Sequence, residues 1–180
     1  MTKKIIKQLA VAAQFAVLIA VSAQITYPLG AMPLTGQTLA VGFTATVAGG
    51  WLAATAVGIY LICGLVGLPV FANMGAGPFV LFGPYGGYLL AFLVTALFIG
   101  KSLEQTAFSL KWALVANLLG ALLTLTIGTV WLAFSTGLAV SDAFTIGLLP
   151  FLIPDAVKAV GAAVLGINTR RLLIKSHFLS

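Results

Sequence analysis

Long apolar runs alternate along this chain with short stretches rich in glycine, proline and polar residues. Ile5 to Gln24 is long enough to cross a membrane, since a hydrocarbon layer ~30 Å thick takes about 20 helical residues. A proline- and glycine-containing loop, Ile25 to Gln37, follows it. Thr38 to Gly49 would rise only ~18 Å as a helix, so that helix is expected to begin earlier, inside the loop. The Gly49-Gly50 pair then marks a tight bend into Trp51 to Val66, and the two runs form a helical hairpin.

Gly67 to Phe82 carries too many glycines and prolines for a membrane helix and is expected to be a second loop dipping toward the core. A fourth span runs from about Pro84 to Gly100. The polar connection Lys101 to Lys111 separates it from a fifth, which continues to Phe134. Ser135 to Leu149 is expected to be an outer loop, and Pro150 to Asn168 a sixth span that ends in a basic tail. The pattern predicts an all-α integral membrane protein. Its six transmembrane helices form one compact bundle over residues 1–180, without repeats or an interdomain linker.

Composition supports the membrane reading. The 180 residues are 61% hydrophobic and 7% charged, whereas a soluble domain is about 25% charged. In water, so much apolar surface would drive aggregation. The formal charge of +6 does not indicate a nucleic-acid partner. Lys3, Lys4 and Lys7 lie in the N-terminal tail, Lys101 and Lys111 in the short connection, and Arg170, Arg171 and Lys175 in the C-terminal tail. That distribution follows the positive-inside rule and puts both termini in the cytoplasm, the parity that six spans require. The basic start and apolar run at the N-terminus resemble a signal peptide, but without a clear cleavage site the run is expected to stay as the first span. The single cysteine, Cys63, excludes an intramolecular disulfide and is assigned to packing. With one histidine, three acidic residues and no hydrolase, metal or phosphate-loop motif, nothing supports an enzyme. An ATP-driven process would need separate subunits.

Asp155 and Lys158 are the acid and the base that fall inside a predicted span. Each costs roughly 2.5–3.5 kcal/mol to insert at mid-membrane, so the pair is the first functional candidate. Three residues apart in PFLIPDAVK, they share one helix face just after Pro154. An acceptor carboxylate beside a donor ammonium suits a ligand with both N–H groups and acceptor oxygens. A self-satisfied pair that only staples helices is the alternative. Thr35 and Gln37 in the first loop offer hydrogen bonds near membrane depth, and such a loop is tolerated there only where it lines a cavity or is covered by protein. In the second loop Asn73 and Tyr85 are the polar candidates, and Phe71, Phe79, Tyr85 and Tyr88 are candidates for an apolar wall. Ala12, Ala16 and Ala20 form a stripe that permits close helix contact, most simply within the chain. His177 lies in the tail and is expected to be solvated.

Four ordered motifs are PLTGQTLAV from Pro33, GLVGLPVFA from Gly64, FGPYGGYLLAF from Phe82 and PFLIPDAVKA from Pro150. Through them nearly the whole chain resembles the BioY family, the biotin-specific substrate-binding (S) components of energy-coupling factor (ECF) transporters. The resemblance implies a six-helix protein that captures biotin on the outer face without a cofactor. It also implies coupling to a transmembrane T component and two cytoplasmic ATPase subunits. By the same likeness Asp155 and Lys158 are ligand contacts, Asn73 is a loop contact, and the Ala12, Ala16 and Ala20 stripe is the docking surface for the transmembrane partner. An S component for another vitamin is the other reading that the fold class allows.

Overall fold

The computed structural model describes residues 2–29 and 32–176. The first apolar run is helix α1, Thr2–Ala23. The loop after it is not irregular: Thr26–Leu29 (β1) and Met32–Thr35 (β2) pair as an antiparallel ribbon, with Thr26 opposite Thr35 and Pro28 opposite Pro33. A segment expected only to be a loop is thus a short ordered ribbon, in a chain that is otherwise mostly helical. Prolines exclude a helix here. Facing one another, they fit a ladder position that calls for no N–H from either strand. Because the ribbon uses the preceding residues, α2 (Gln37–Ala48) does not begin earlier and stays at 12 residues.

Gly49, at φ 85°, makes the expected bend into α3 (Gly50–Leu65), in a backbone region that side-chain-bearing residues rarely adopt. The second loop holds a single 3₁₀ turn at Ala72–Met74 and a four-residue helix α4, Pro78–Leu81. Helix α5, Gly86–Gln105, runs past Gly100 and takes Lys101 and Glu104 into its last turns, so the polar connection shrinks to residues 106–109. Helix α6 spans Leu110–Thr136 and ends at Gly137, whose φ is 72°. The expected third loop contains a short helix, α7 (Val140–Gly147), and a 3₁₀ turn, Leu149–Phe151. Helix α8, Leu152–Lys175, carries Arg170 and Arg171 within it rather than in a tail. His177 lies outside the described residues.

Among the described residues, Lys3–Ala23, Gly86–Gln105, Leu110–Thr136 and Val140–Lys175 are long and apolar enough to cross a membrane, while α2 and α3 are shorter. The short α2 is the centre of the bundle, packed on α8 and α5 with Ala40, Val41, Ala45 and Val47 all buried. Helix α1 packs on α3. Ala12 is fully buried and Ala16 nearly so, and Ala20 packs against the same core. The stripe is therefore spent on the protein's own helices. This is the contact within the chain that the four-residue spacing of small side chains allows, and between the alanines α1 turns Val17 and Val21 outward. Large apolar side chains such as Val17, Val21, Phe134 and Ile153 face outward, as a lipid-embedded surface requires.

Side-chain bonds close the end of the bundle opposite the ribbon. Glu104 Oε1 accepts from the Gly50 N–H at 2.8 Å and so caps the start of α3, while its other oxygen pairs with Lys101 at 2.6 Å. Arg170 donates to the Val47 carbonyl and lies 3.5 Å from the centre of the Phe108 ring.

Candidate functional site

At the ribbon end, one cavity of about 330 Å³ opens between β2, the second loop and helices α2, α5, α6 and α8. The 3₁₀ turn at Leu149–Phe151 leads directly into α8 and places Asp155 in its first turn, where the exposed N–H groups and the helix dipole favour a carboxylate. One turn on, Lys158 lies over the same face, with Nζ 2.5 Å from Asp155 Oδ1. Asp155 is almost wholly buried, its side chain 4% exposed against 15% for Lys158. The Thr38 hydroxyl also donates to Asp155 Oδ1, at 3.2 Å, and Lys158 donates to the Thr35 carbonyl at 2.9 Å. The pair therefore ties α8 to β2 and to the first turn of α2. Burying either charge alone would cost several kcal/mol, and this set of partners offsets that cost.

Gln37 is buried beside the pair at the start of α2. Its amide Nε2 donates to the Tyr60 hydroxyl, and its Oε1 accepts from the Thr35 hydroxyl at 2.9 Å. Tyr60 in turn meets the Phe71 ring edge-on, with centroids 5.4 Å apart. Phe71 is fully buried because its ring lies directly over Gly64, where an added Cβ would sit 2.0 Å from the ring. The glycine of GLVGLPVF thus makes room for one wall of the cavity.

Asn73 is at the mouth, in a left-handed conformation (φ 55°) that asparagine tolerates better than most residues, and its Oδ1 accepts from the Thr26 hydroxyl at 3.1 Å. Tyr85 lines the rim. Behind it Tyr88 is buried, its hydroxyl donating to the Gly147 carbonyl at 2.9 Å and lying 3.0 Å from the Thr129 hydroxyl. That hydroxyl is occupied in joining α5 to α6 and α7. Phe92, Leu125 and Phe151 complete an apolar floor.

Asp155, Lys158, Asn73, Tyr85, Gln37 and Thr35, far apart in sequence, all line this one cavity. Phe79 does not: it is 92% exposed and points away, so it is not part of the apolar wall. Sequence reasoning missed Thr38, Tyr60, Phe92 and Phe151. Phe151, which caps α8 four residues before Asp155, was accessible by that spacing. Tyr60 and Phe92 look like any aromatic in an apolar run and carried no signal. Among the described residues no cluster of His, Cys, Asp or Glu is suited to a metal ion.

The fold and cavity define a multi-pass helical membrane protein with a small-molecule pocket at one end, partly charged and partly aromatic. Residues 1–175 match the BioY family, to which the chain belongs. It is 41% identical to the biotin transporter BioY2 of Lactococcus lactis subsp. cremoris, over 88% of this chain and 87% of that protein. It is 36% identical to the biotin transporter BioY of Thermotoga maritima, over 94% of this chain and 99% of that one. The crystal structure of the S-component for biotin from an ECF-type ABC transporter superposes with a TM-score of 0.86 at 25% identity, covering 95% of this chain and 94% of that one. The family is one of transporters, not of enzymes.

Proposed function

We propose that this protein captures biotin at the extracellular face of a prokaryotic plasma membrane and delivers it inward as the S component of an ECF-type transporter. In this reading six helices, including the short α2 and α3, lie in the bilayer, and a transmembrane T component and two cytoplasmic ATPase subunits supply the energy. The observation that carries the reading is the cavity itself. In a chain of the BioY family, one acid, one base, two amides and several hydroxyls converge on an aromatic pocket large enough for a small bicyclic ligand. The basic ends of α5, α6 and α8 lie at the opposite end of the bundle, which supports a cavity facing outward and cytoplasmic termini.

Biotin's chemistry matches the lining. Its fused rings are apolar enough for the floor formed by Phe92, Leu125 and Phe151. Its ureido group brings two N–H donors and a carbonyl, and its side chain a carboxylate. Asp155 is the acceptor for the ureido N–H groups. Two of the three ammonium N–H groups of Lys158 serve Asp155 and the Thr35 carbonyl, which leaves one for a ligand oxygen. Asn73 and Tyr85 close the mouth, and Thr35 and Gln37 hold the ribbon side of the pocket. No cofactor takes part.

Equilibrium binding of biotin to the purified protein in detergent, after dialysis to remove carried-over ligand, tests this beside Asp155→Asn and Lys158→Met. Tight binding lost in both variants, with folding retained, is the expected result. A folded wild type that ignores biotin but binds thiamine or riboflavin would make it an S component for another vitamin. One that binds none of these would leave Asp155 and Lys158 as a helix staple.

A further inference from the structure

Gln24, the first residue after α1, is far from the charged pair, yet its side chain makes an unusual number of bonds. Its Nε2 donates to the carbonyls of Ala20 at 3.1 Å, Val70 at 3.3 Å and Phe71 at 3.0 Å, and its Oε1 accepts from the Met74 N–H at 3.0 Å. Two amide hydrogens thus serve three carbonyls, one hydrogen being shared. Apart from Ala20, these partners belong to one segment, and that segment is the conformationally costly part of the cavity mouth. Asn73 and Met74 are the non-glycine residues with positive φ among those described, at 55° and 58°, and they are adjacent. Two consecutive left-handed residues cost roughly 1–3 kcal/mol each and persist only where surrounding bonds hold them. An isolated bridge between Phe71 and Gly75 closes the base of the turn, and the Gln24 amide spans it from the side by bonding the Phe71 carbonyl and the Met74 N–H.

From this geometry we infer that Gln24 is a positioning residue for the ligand site. It holds the Phe71–Met74 turn in the form that presents Asn73 to the cavity mouth and Phe71 to its wall, and it makes the end of α1 part of the binding apparatus. The inference rests on the cavity being the biotin site. It assigns Gln24 no contact with the ligand. Without the Gln24 amide the Phe71 and Val70 carbonyls and the Met74 N–H lose a partner, the turn relaxes toward ordinary backbone angles, and Asn73 leaves its place.

The test is a double-mutant cycle on biotin affinity with Gln24→Ala, Asn73→Ala and the two together, with thermal stability measured on each. Loss of the hydrogen bonds that fix one contact corresponds to about a tenfold rise in Kd for Gln24→Ala. A residue acting through Asn73 gives a double variant little weaker than either single one. Additive losses, or a lowered melting temperature with unchanged Kd, would overturn the inference and leave Gln24 a stabiliser of α1. Should Gln24→Ala fail to fold, Gln24→Glu carries the same cycle: it keeps an acceptor for Met74 but sets a carboxylate oxygen against the Val70 and Phe71 carbonyls, so a raised Kd is expected, and an unchanged Kd would count against the inference. Failure of wild type to bind biotin, or intact binding in Asp155→Asn, would overturn the site assignment and this inference with it, whereas additive losses in a protein that needs Asp155 for binding would overturn this inference alone.

Discussion

Among the described residues, two carboxylate–lysine pairs share the same i,i+3 spacing and nearly the same length, Asp155–Lys158 at 2.5 Å and Lys101–Glu104 at 2.6 Å. At the Lys101 end both side chains are more than a third exposed, and Glu104 caps α3 while Lys101 reaches over the Trp51 ring. At the cavity both members are largely buried, and their other bonds go to the ribbon and to α2. Spacing alone therefore does not define a site. Withdrawal from water does, because it makes each charge depend on its partner and makes an arriving polar ligand valuable to both.

The sharpest way to break the comparison is to remove the charges. Asp155→Leu or Lys158→Leu alone leaves an uncompensated buried charge and is expected to lower stability by roughly 3–5 kcal/mol. The double variant, with no charge left to bury, should be more stable than either single one, although biotin binding is absent from all three. Thermal unfolding alongside ligand binding checks both halves. Equal melting temperatures for single and double variants would mean that the pair is not electrostatically coupled.

Next in size is Gly64→Ala, which forces a methyl into the Phe71 ring. Overpacking there is expected to cost up to ~3 kcal/mol and to weaken biotin binding by displacing the wall. A variant with unchanged Kd would show that Phe71 does not shape the pocket. Gln37→Leu leaves the buried Tyr60 hydroxyl unpartnered, for an expected loss of ~1–2 kcal/mol. Adding Tyr60→Phe should recover most of that stability, since the orphaned group is then gone. The smallest effect is expected at the far pair: Glu104→Gln keeps the bond to Gly50 and removes one exposed charge, so stability should change by less than ~1 kcal/mol and Kd not at all. A large effect on binding there would mean that the two ends communicate.

Much of the architecture was legible from the chain. The apolar runs follow from the lipid solvent, the basic ends from the cost of charge within it, and the bend at Gly49 from the backbone freedom of glycine, all of them constraints written residue by residue. Asp155 and Lys158 stood out for the same reason, because charge in an apolar run is costly wherever the run folds. Partner choice was not legible. Tyr60 is one more aromatic in α3 until Gln37 is beside it, and the Ala12 and Ala16 stripe is as suitable for an outside helix as for α3. Phe79 and Phe71 share a loop and a chemistry, yet one faces outward and the other is walled in, because only Phe71 lies over Gly64. The ribbon escaped notice because four-residue strands with a proline each carry almost no periodic signal.

By itself, then, the sequence determined that this protein lies in a membrane, roughly where its long apolar helices run, and which buried charges need a reason to exist. These are solvation statements, and solvation acts on each residue separately. Only the tertiary structure decided that β2, the turn at Asn73 and the start of α8 meet around one cavity, that the Gln24 side chain bonds that turn, and that Ala12 and Ala16 pack on the protein's own helices. Those outcomes depend on which surfaces of distant segments fit together, and shape complementarity belongs to no single stretch of chain.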